Sequence, residues 1–143
     1  MQVVADSLCR SWEMSTVGHP LSDIANVLQP WTVLAMSPVA ARDLSLSVNI
    51  TSGVEGLPSI PQCLAWYRAM AGWNPEPEMT WADAFSLFRM SVVRQGITAR
   101  YAARQASSSN ALEIGRGMLT CAQLTQALIR RVKEQQEAAR SRL

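Results

Sequence analysis

Little of the usual material of chemistry is present in this sequence. Its 143 residues hold one histidine, His19, and one lysine, Lys133. The three cysteines, Cys9, Cys63 and Cys121, stand far apart and form no CxxC pair. An odd, scattered set of thiols argues against a secreted disulfide scaffold and for a reducing compartment, where buried cysteines act as small apolar side chains. A zinc framework has no ligand spacing to stand on. A Ser-His-Asp relay has only His19 as base, and Gly18-His19-Pro20 suits a turn or a helix cap better. Long apolar runs are missing too. Residues 24–41 are uncharged, but Asn26, Gln29, Pro30 and Pro38 interrupt them, so no membrane span is expected. Asp6 falls where the apolar stretch of a secretory signal would run, which leaves the Asn49-Ile50-Thr51 sequon unused.

What is present is a globular composition: 48% hydrophobic, 17% charged, net charge +2. Disorder is excluded as the main state, and the length suits one domain. The charge is unevenly placed. From residue 89 onward ten basic side chains face three acidic ones, a net +7, and residues 1–88 carry −5. The two halves attract, and the basic half offers a surface to an acidic partner or to a nucleotide or CoA phosphate. Without exposed aromatics interleaved among the basic residues, nucleic acid is not an expected partner.

The spacing predicts about four helices joined by irregular loops, with at most one short strand. Pro20 opens a helix with an apolar face of Leu21, Ile24, Ala25 and Leu28, and Pro30 is expected to end it. Residues 44–50 alternate apolar and polar side chains, as a strand or as loop. Ser59-x-x-Gln62 is a capping box for a helix to about Ala71, with Ile60, Leu64, Tyr67 and Ala71 inward and Gly72 as its stop. Thr80-x-x-Asp83 opens a longer helix to about Arg104. Its expected core face is Trp81, Ala84, Phe85, Phe88, Val92, Gly96 and Ala99, with Gly96 marking close helix packing. Asn110-x-x-Glu113 starts a last helix with the stripe Ile114, Met118, Cys121, Leu128 and Val132. Gly115 and Gly117 weaken its first turns, and the chain after Val132 is expected to fray. Gly115-Arg116-Gly117 follows no strand and is not a phosphate loop.

One segment rises above this background. Residues 12–25, Trp12-Glu13-Met14-Ser15-Thr16-Val17-Gly18-His19-Pro20-Leu21-Ser22-Asp23-Ile24-Ala25, resemble the D-W-E-x-S-T-x-G-x-P-x-x-D-[LI]-A signature of the aminoglycoside phosphotransferase and choline kinase superfamily. Gly56-Leu57-Pro58-Ser59, Tyr67, Phe85-Ser86-Leu87-Phe88-Arg89-Met90, Gln95-Gly96-Ile97 and Ala99-Arg100-Tyr101 resemble a narrower group. These are the phosphotransferase-like domains found with acyl-CoA dehydrogenases, of the family member eleven type. The resemblance covers about residues 12–133. It implies the C-terminal helical half-lobe of a protein-kinase-like fold, with residues 1–11 outside the family and residues 134–143 a basic tail.

The departures shape the expected function. The family uses ATP and Mg²⁺, with an Asp before Trp-Glu as metal ligand, and here that degenerate metal position is Ser11. A neutral hydroxyl does not replace a hard anionic ligand for Mg²⁺. The family's phosphate-pairing lysine and its H-G-D-x-x-x-x-N catalytic loop have no counterpart in these residues. No catalytic or metal residue is therefore assigned, and no cofactor is expected. The family-motif positions are Trp12, Glu13, Gly18, Pro20 and Asp23. Glu13 would lie beside the lost metal site, and Asp23 either braces the absent loop, as the resemblance implies, or serves as a first-turn acid. Trp66, Tyr67, Trp81, Phe85 and Phe88 would line an acyl pocket in a complete domain, but their helical spacing assigns them to the core. The expectation is a truncated, catalytically inactive phosphotransferase-like protein of acyl-CoA metabolism. The alternatives are an interaction module that self-associates or docks on an acyl-CoA dehydrogenase, and half of a split phosphotransferase. Ser141-Arg142-Leu143 resembles the small-basic-Leu peroxisomal address, so peroxisomal location and the import receptor as a partner are expected, with the cytoplasm as the alternative.

Overall fold

A computed structural model describes residues 18–44 and 56–142. Ser11, Trp12, Glu13, Leu143, Cys9 and all but the first residue of the suggested strand lie outside the described residues. Within them the protein is mainly α, with no strand. The helices are α1 (Leu21–Met36), α2 (Pro38–Asp43), α3 (Ile60–Ala71), α4 (Met79–Ala102), α5 (Ala111–Arg116) and α6 (Met118–Arg140), with a 3₁₀ turn at Glu76–Glu78 leading into α4. Six helices thus stand among the described residues where about four were expected. Helix α2 lies in what reads as a connection after Pro30, and the expected last helix is divided in two.

The start of α1 follows expectation. Pro20 is its N-cap, in helical conformation, and the Leu21 N–H donates to His19 Nδ1 at 3.3 Å, so the lone histidine takes up the first N–H of the helix. Pro30 does not end α1. Its ring removes one backbone hydrogen bond and costs about 3 kcal/mol in a helix interior. Leu28, Gln29, Thr32 and Val33 are all buried around it. Burial of two such aliphatic side chains contributes roughly 1.5–3 kcal/mol each and outweighs that cost. The break comes at Ser37, whose N–H closes α1 onto Val33 O and whose Oγ accepts the Ala40 N–H to open α2.

Helix α3 has the predicted bounds. Ser59 Oγ accepts the Gln62 N–H at 3.4 Å, and Gly72 ends the helix at φ 66°, a left-handed conformation that glycine adopts without penalty. Of its expected inward face Leu64 is buried, Ile60 and Tyr67 half-buried, and Ala71 exposed. Leu64 joins Leu21, Ile24, Ala25 and Leu28 of α1 and Met79 and Ala82 of α4 in one core cluster. A second cluster gathers Val33, α2 with Leu44, Ala84 and Leu87 of α4, and Cys121 and Leu128 of α6.

Helix α4 is the central element, lying against α1, α5 and α6. It begins one residue before Thr80, after the 3₁₀ turn, and ends at Ala102, two residues short of Arg104. Its buried face is Met79, Ala82, Ala84, Ser86, Leu87 and Arg94, not the expected aromatic stripe. Trp81, Phe85, Phe88, Val92 and Ala99 are exposed. Small residues let α4 approach its neighbours on several sides, and the large rings are left outside. Gly96 is not the close contact either, since a Cβ there would meet only Arg100 of its own helix. The close approach is made from the other side. A Cβ on Gly117 would stand 2.5 Å from Arg94 Nη1 and 2.7 Å from Leu44 Cδ2, and one on Gly115 would collide with Thr98 Oγ1. Those two glycines divide the expected last helix into α5 and α6 at Gly117, the shared cap. Helix α6 does not stop at Val132 but continues to Arg140.

Candidate functional site

Three places bring polar or exposed apolar chemistry together. The first is the start of α1, where the motif positions fall. Gly18, Pro20 and Asp23 are exposed, and Asp23 lies in the first turn, where the helix dipole favours a carboxylate. His19 packs edge-on against Trp73 at 5.5 Å, and Trp73 meets Tyr67 of α3 at 6.2 Å. These aromatic contacts fix the entry to α1 against the end of α3. Tyr67 is therefore a packing residue, while Trp66 is exposed.

The second is a polar seam between α1 and α4, which run antiparallel. Arg89 Nη1 donates to Ser22 Oγ at 3.0 Å. Gln29 Nε2 donates to Ser86 Oγ, and Ser86 Oγ donates to Asn26 Oδ1, both at 2.9 Å. Further along, Asp83 takes a hydrogen bond from the Thr32 side chain, while its Oδ1 is sealed from solvent with no hydrogen-bond partner. Burial pushes the Asp83 carboxyl up to about 6, and the Thr32 bond offsets part of that rise. None of Asn26, Gln29, Thr32, Ser86 or Arg89 was foreseen as part of a polar seam between helices, and only Gln29, Thr32 and Ser86 of them are buried. Asp83 was read only as a capping-box partner.

The Asp83 shift has a measurable sign. A carboxyl raised above its unfolded value near 4 keeps its proton longer in the folded state, so ionising it penalises folding. That penalty is absent below about pH 4 and complete above about pH 7. Asp83→Asn is expected to gain about 1–2 kcal/mol relative to the parent between about pH 4 and pH 8, after discounting for partial solvent screening. Urea unfolding at the two pH values measures it. An equal difference at both would show that the Asp83 charge has no bearing on stability.

The third is a groove between α4 and α6. Trp81, Ala84, Phe85, Phe88, Thr125, Ile129, Val132, Lys133 and Gln136 enclose about 380 Å³. Trp81 and Phe85 stack nearly parallel, 5.4 Å between centroids and 7° between planes. The groove is apolar, with the only lysine of the sequence among its lining residues. It is a surface for an apolar body. The other expected site residues stay apart from it in the chain: Ser141 and Arg142 are exposed just beyond the end of α6.

Among the described residues no group of three or more His, Cys, Asp or Glu side chains converges. Cys121 is buried in the core, where burial raises its thiol and the Arg94 guanidinium pulls the other way. Among the described residues no helix is long and apolar enough to cross a membrane.

The chain is similar to acyl-CoA dehydrogenase relatives. It is 33% identical over 91 residues to acyl-CoA dehydrogenase family member 11 of Homo sapiens, covering 63% of this chain and 11% of the relative. It is 28% identical over 105 residues to family member 10 of Mus musculus, and 30% identical over 99 residues to the probable acyl-CoA dehydrogenase IBR3 of Arabidopsis thaliana. Those matches cover 73% and 68% of this chain, and 9% and 12% of the relatives. The chain thus spans about a tenth of the length of the curated relatives it matches. No family model matches it, and no solved structure does.

Proposed function

We propose that residues 12–133 form the C-terminal helical half-lobe of a phosphotransferase-like domain of the kind associated with acyl-CoA dehydrogenases, serving acyl-CoA metabolism without phosphoryl transfer of its own. The observation that carries this reading is the pairing of two likenesses in one short chain. The motif of residues 12–25 resembles the phosphotransferase metal strand and the helix after it, and the chain is similar to relatives named acyl-CoA dehydrogenases. Phosphoryl transfer is positioning and electrostatic stabilisation by lysine and metal-bound carboxylates. These 143 residues have Ser11 at the metal position and a single lysine, Lys133, in the apolar groove. Calorimetric titration of the purified chain with ATP and Mg²⁺ tests the reading. No specific heat of binding is expected, and one tight, metal-dependent site would overturn it.

The proposal includes peroxisomal delivery through Ser141-Arg142-Leu143, supported by the exposure of Ser141 and Arg142 on a polar helix end. A reporter fused ahead of Met1 is expected to coincide with a peroxisomal marker, and to spread through the cytosol once the three residues are removed. A fusion already diffuse with the tripeptide intact would return the compartment to the cytoplasm. A second reading, a non-catalytic interaction module, is favoured by the exposed aromatic face of α4.

A further inference from the structure

The outer face of α4 carries an apolar stripe with nothing of this chain's described residues laid over it. Trp81, Phe85, Phe88 and Val92 follow one another at steps of four, three and four, and each is 39–54% exposed. At about 100° per residue the stripe lies opposite Asp83, Ser86 and Met90, the face turned to α1. Ile129 and Val132 of α6 continue it across the groove. Exposed apolar surface on Trp81, Phe85, Phe88, Val92 and Ile129 is on the order of 500 Å², at the upper end of what a lone soluble domain shows. With Val132, Lys133 and Gln136 it approaches the roughly 800 Å² per partner of a standard stable interface.

We propose that this face is an isologous dimer interface, and that its occupant is the same face of a second copy of the chain. Three features favour a second copy over another partner. Helices α4 and α6 are 24 and 23 residues long and pack antiparallel, Gln135 of one reaching Thr80 of the other at one end and Arg94 meeting Cys121 further along. Such a pair is half of a four-helix bundle, and the missing half is a second identical pair. Steps of four and three are the seam spacing of paired helices. A two-fold axis between Phe85 and Phe88 sets α4 against its symmetry mate with Phe85 facing Phe88 and Trp81 facing Val92, ring on ring at the centre and large against small at the ends. Along α4 the seam is also free of charge conflict. Arg89 is turned to Ser22 and Asp83 to Thr32, so no α4 charge faces its own copy between Trp81 and Val92.

Sedimentation equilibrium of the 143-residue chain from about 1 to 100 μM, spanning the affinity of ordinary interfaces, tests this. A concentration-dependent rise to twice the monomer mass is expected. Phe88→Arg and Val92→Arg, each placing a charge in the seam, are expected to weaken dimerisation at least about tenfold. Their far-UV circular dichroism in dilute solution should match the parent, because both side chains already face solvent in the monomer. Trp66→Arg, on the exposed side of α3, is expected to leave the dimer intact. A chain that stays monomeric at the highest concentration overturns the proposal. So does a dimer that survives both seam variants, or a monomer whose groove takes up a fatty acid from solution while no self-association is seen.

Discussion

Arg94→Ala is expected to cost about 3–5 kcal/mol of folding stability, the largest loss from any single polar side chain described. Arg94 is only 7% exposed. Its Nη1 donates to Ile114 O at 2.5 Å and its Nη2 to Leu44 O at 3.0 Å. Leu44 is the cap at the end of α2, and Ile114 lies in the last turn of α5. Carbonyls at helix ends have no partner within the helix and carry the negative pole of the helix dipole. One guanidinium therefore closes two helices that are far apart in sequence and holds both against α4. Burying the cation is itself costly, and its Nε is left without a partner. Removal nevertheless destabilises, because two carbonyls then face a dry interior and each charge-assisted bond contributes about 1.5–3 kcal/mol. Arg94→Lys should recover little of the loss, since an ammonium does not span the two acceptors as the planar fork does. Urea unfolding of both variants is the measurement. A loss below about 1 kcal/mol for the alanine variant would mean that water replaces the guanidinium without cost.

Arg94 also explains the glycines that follow. Gly117 lies against both Arg94 and Leu44, so the bend between α5 and α6 is shaped by a side chain of α4. In the sequence, Gly115 and Gly117 were legible as helix-weakening positions, but not as the place where α4 comes closest. Local signals fared well where the physics is local. Ser59 and Gly72 bound α3 as expected, because a cap and a left-handed stop act within one turn. Pro30 misled because its cost is local and its compensation is not: Val33 packs in the cluster with Leu87 and Leu128. The candidate site was half legible. The motif around Gly18, Pro20 and Asp23 stands out by residue identity, whereas the rings of Trp81, Phe85 and Phe88 read as core and are in fact exposed. Asp83 and Arg94 did not stand out, because a charged residue in a helix reads as solvated until Thr32, Leu44 and Ile114 are brought to it from other helices.

The neighbouring pair Leu87 and Phe88 separates the two faces of α4 in one experiment. Helical periodicity ranks candidates by size and favours Phe88, for which a buried ring would make an alanine substitution cost about 3–5 kcal/mol. The structure inverts that order. Leu87 is 1% exposed among Val33, Cys121 and Leu128, and Phe88 is 53% exposed at the groove. A cavity at Leu87 has walls from α1, α2, α4 and α6 that do not collapse together, so Leu87→Ala is expected to cost about 2–5 kcal/mol. Phe88→Ala deletes contacts already half open to water and is expected to cost below about 1 kcal/mol in dilute monomer. Chemical denaturation should be read well below the concentration at which copies associate, since an interface at Phe88 adds apparent stability by mass action. At higher concentration the Phe88→Ala deficit should grow while that of Leu87→Ala stays nearly constant. Equal losses in dilute solution would place Phe88 in the core and remove the face on which the dimer depends.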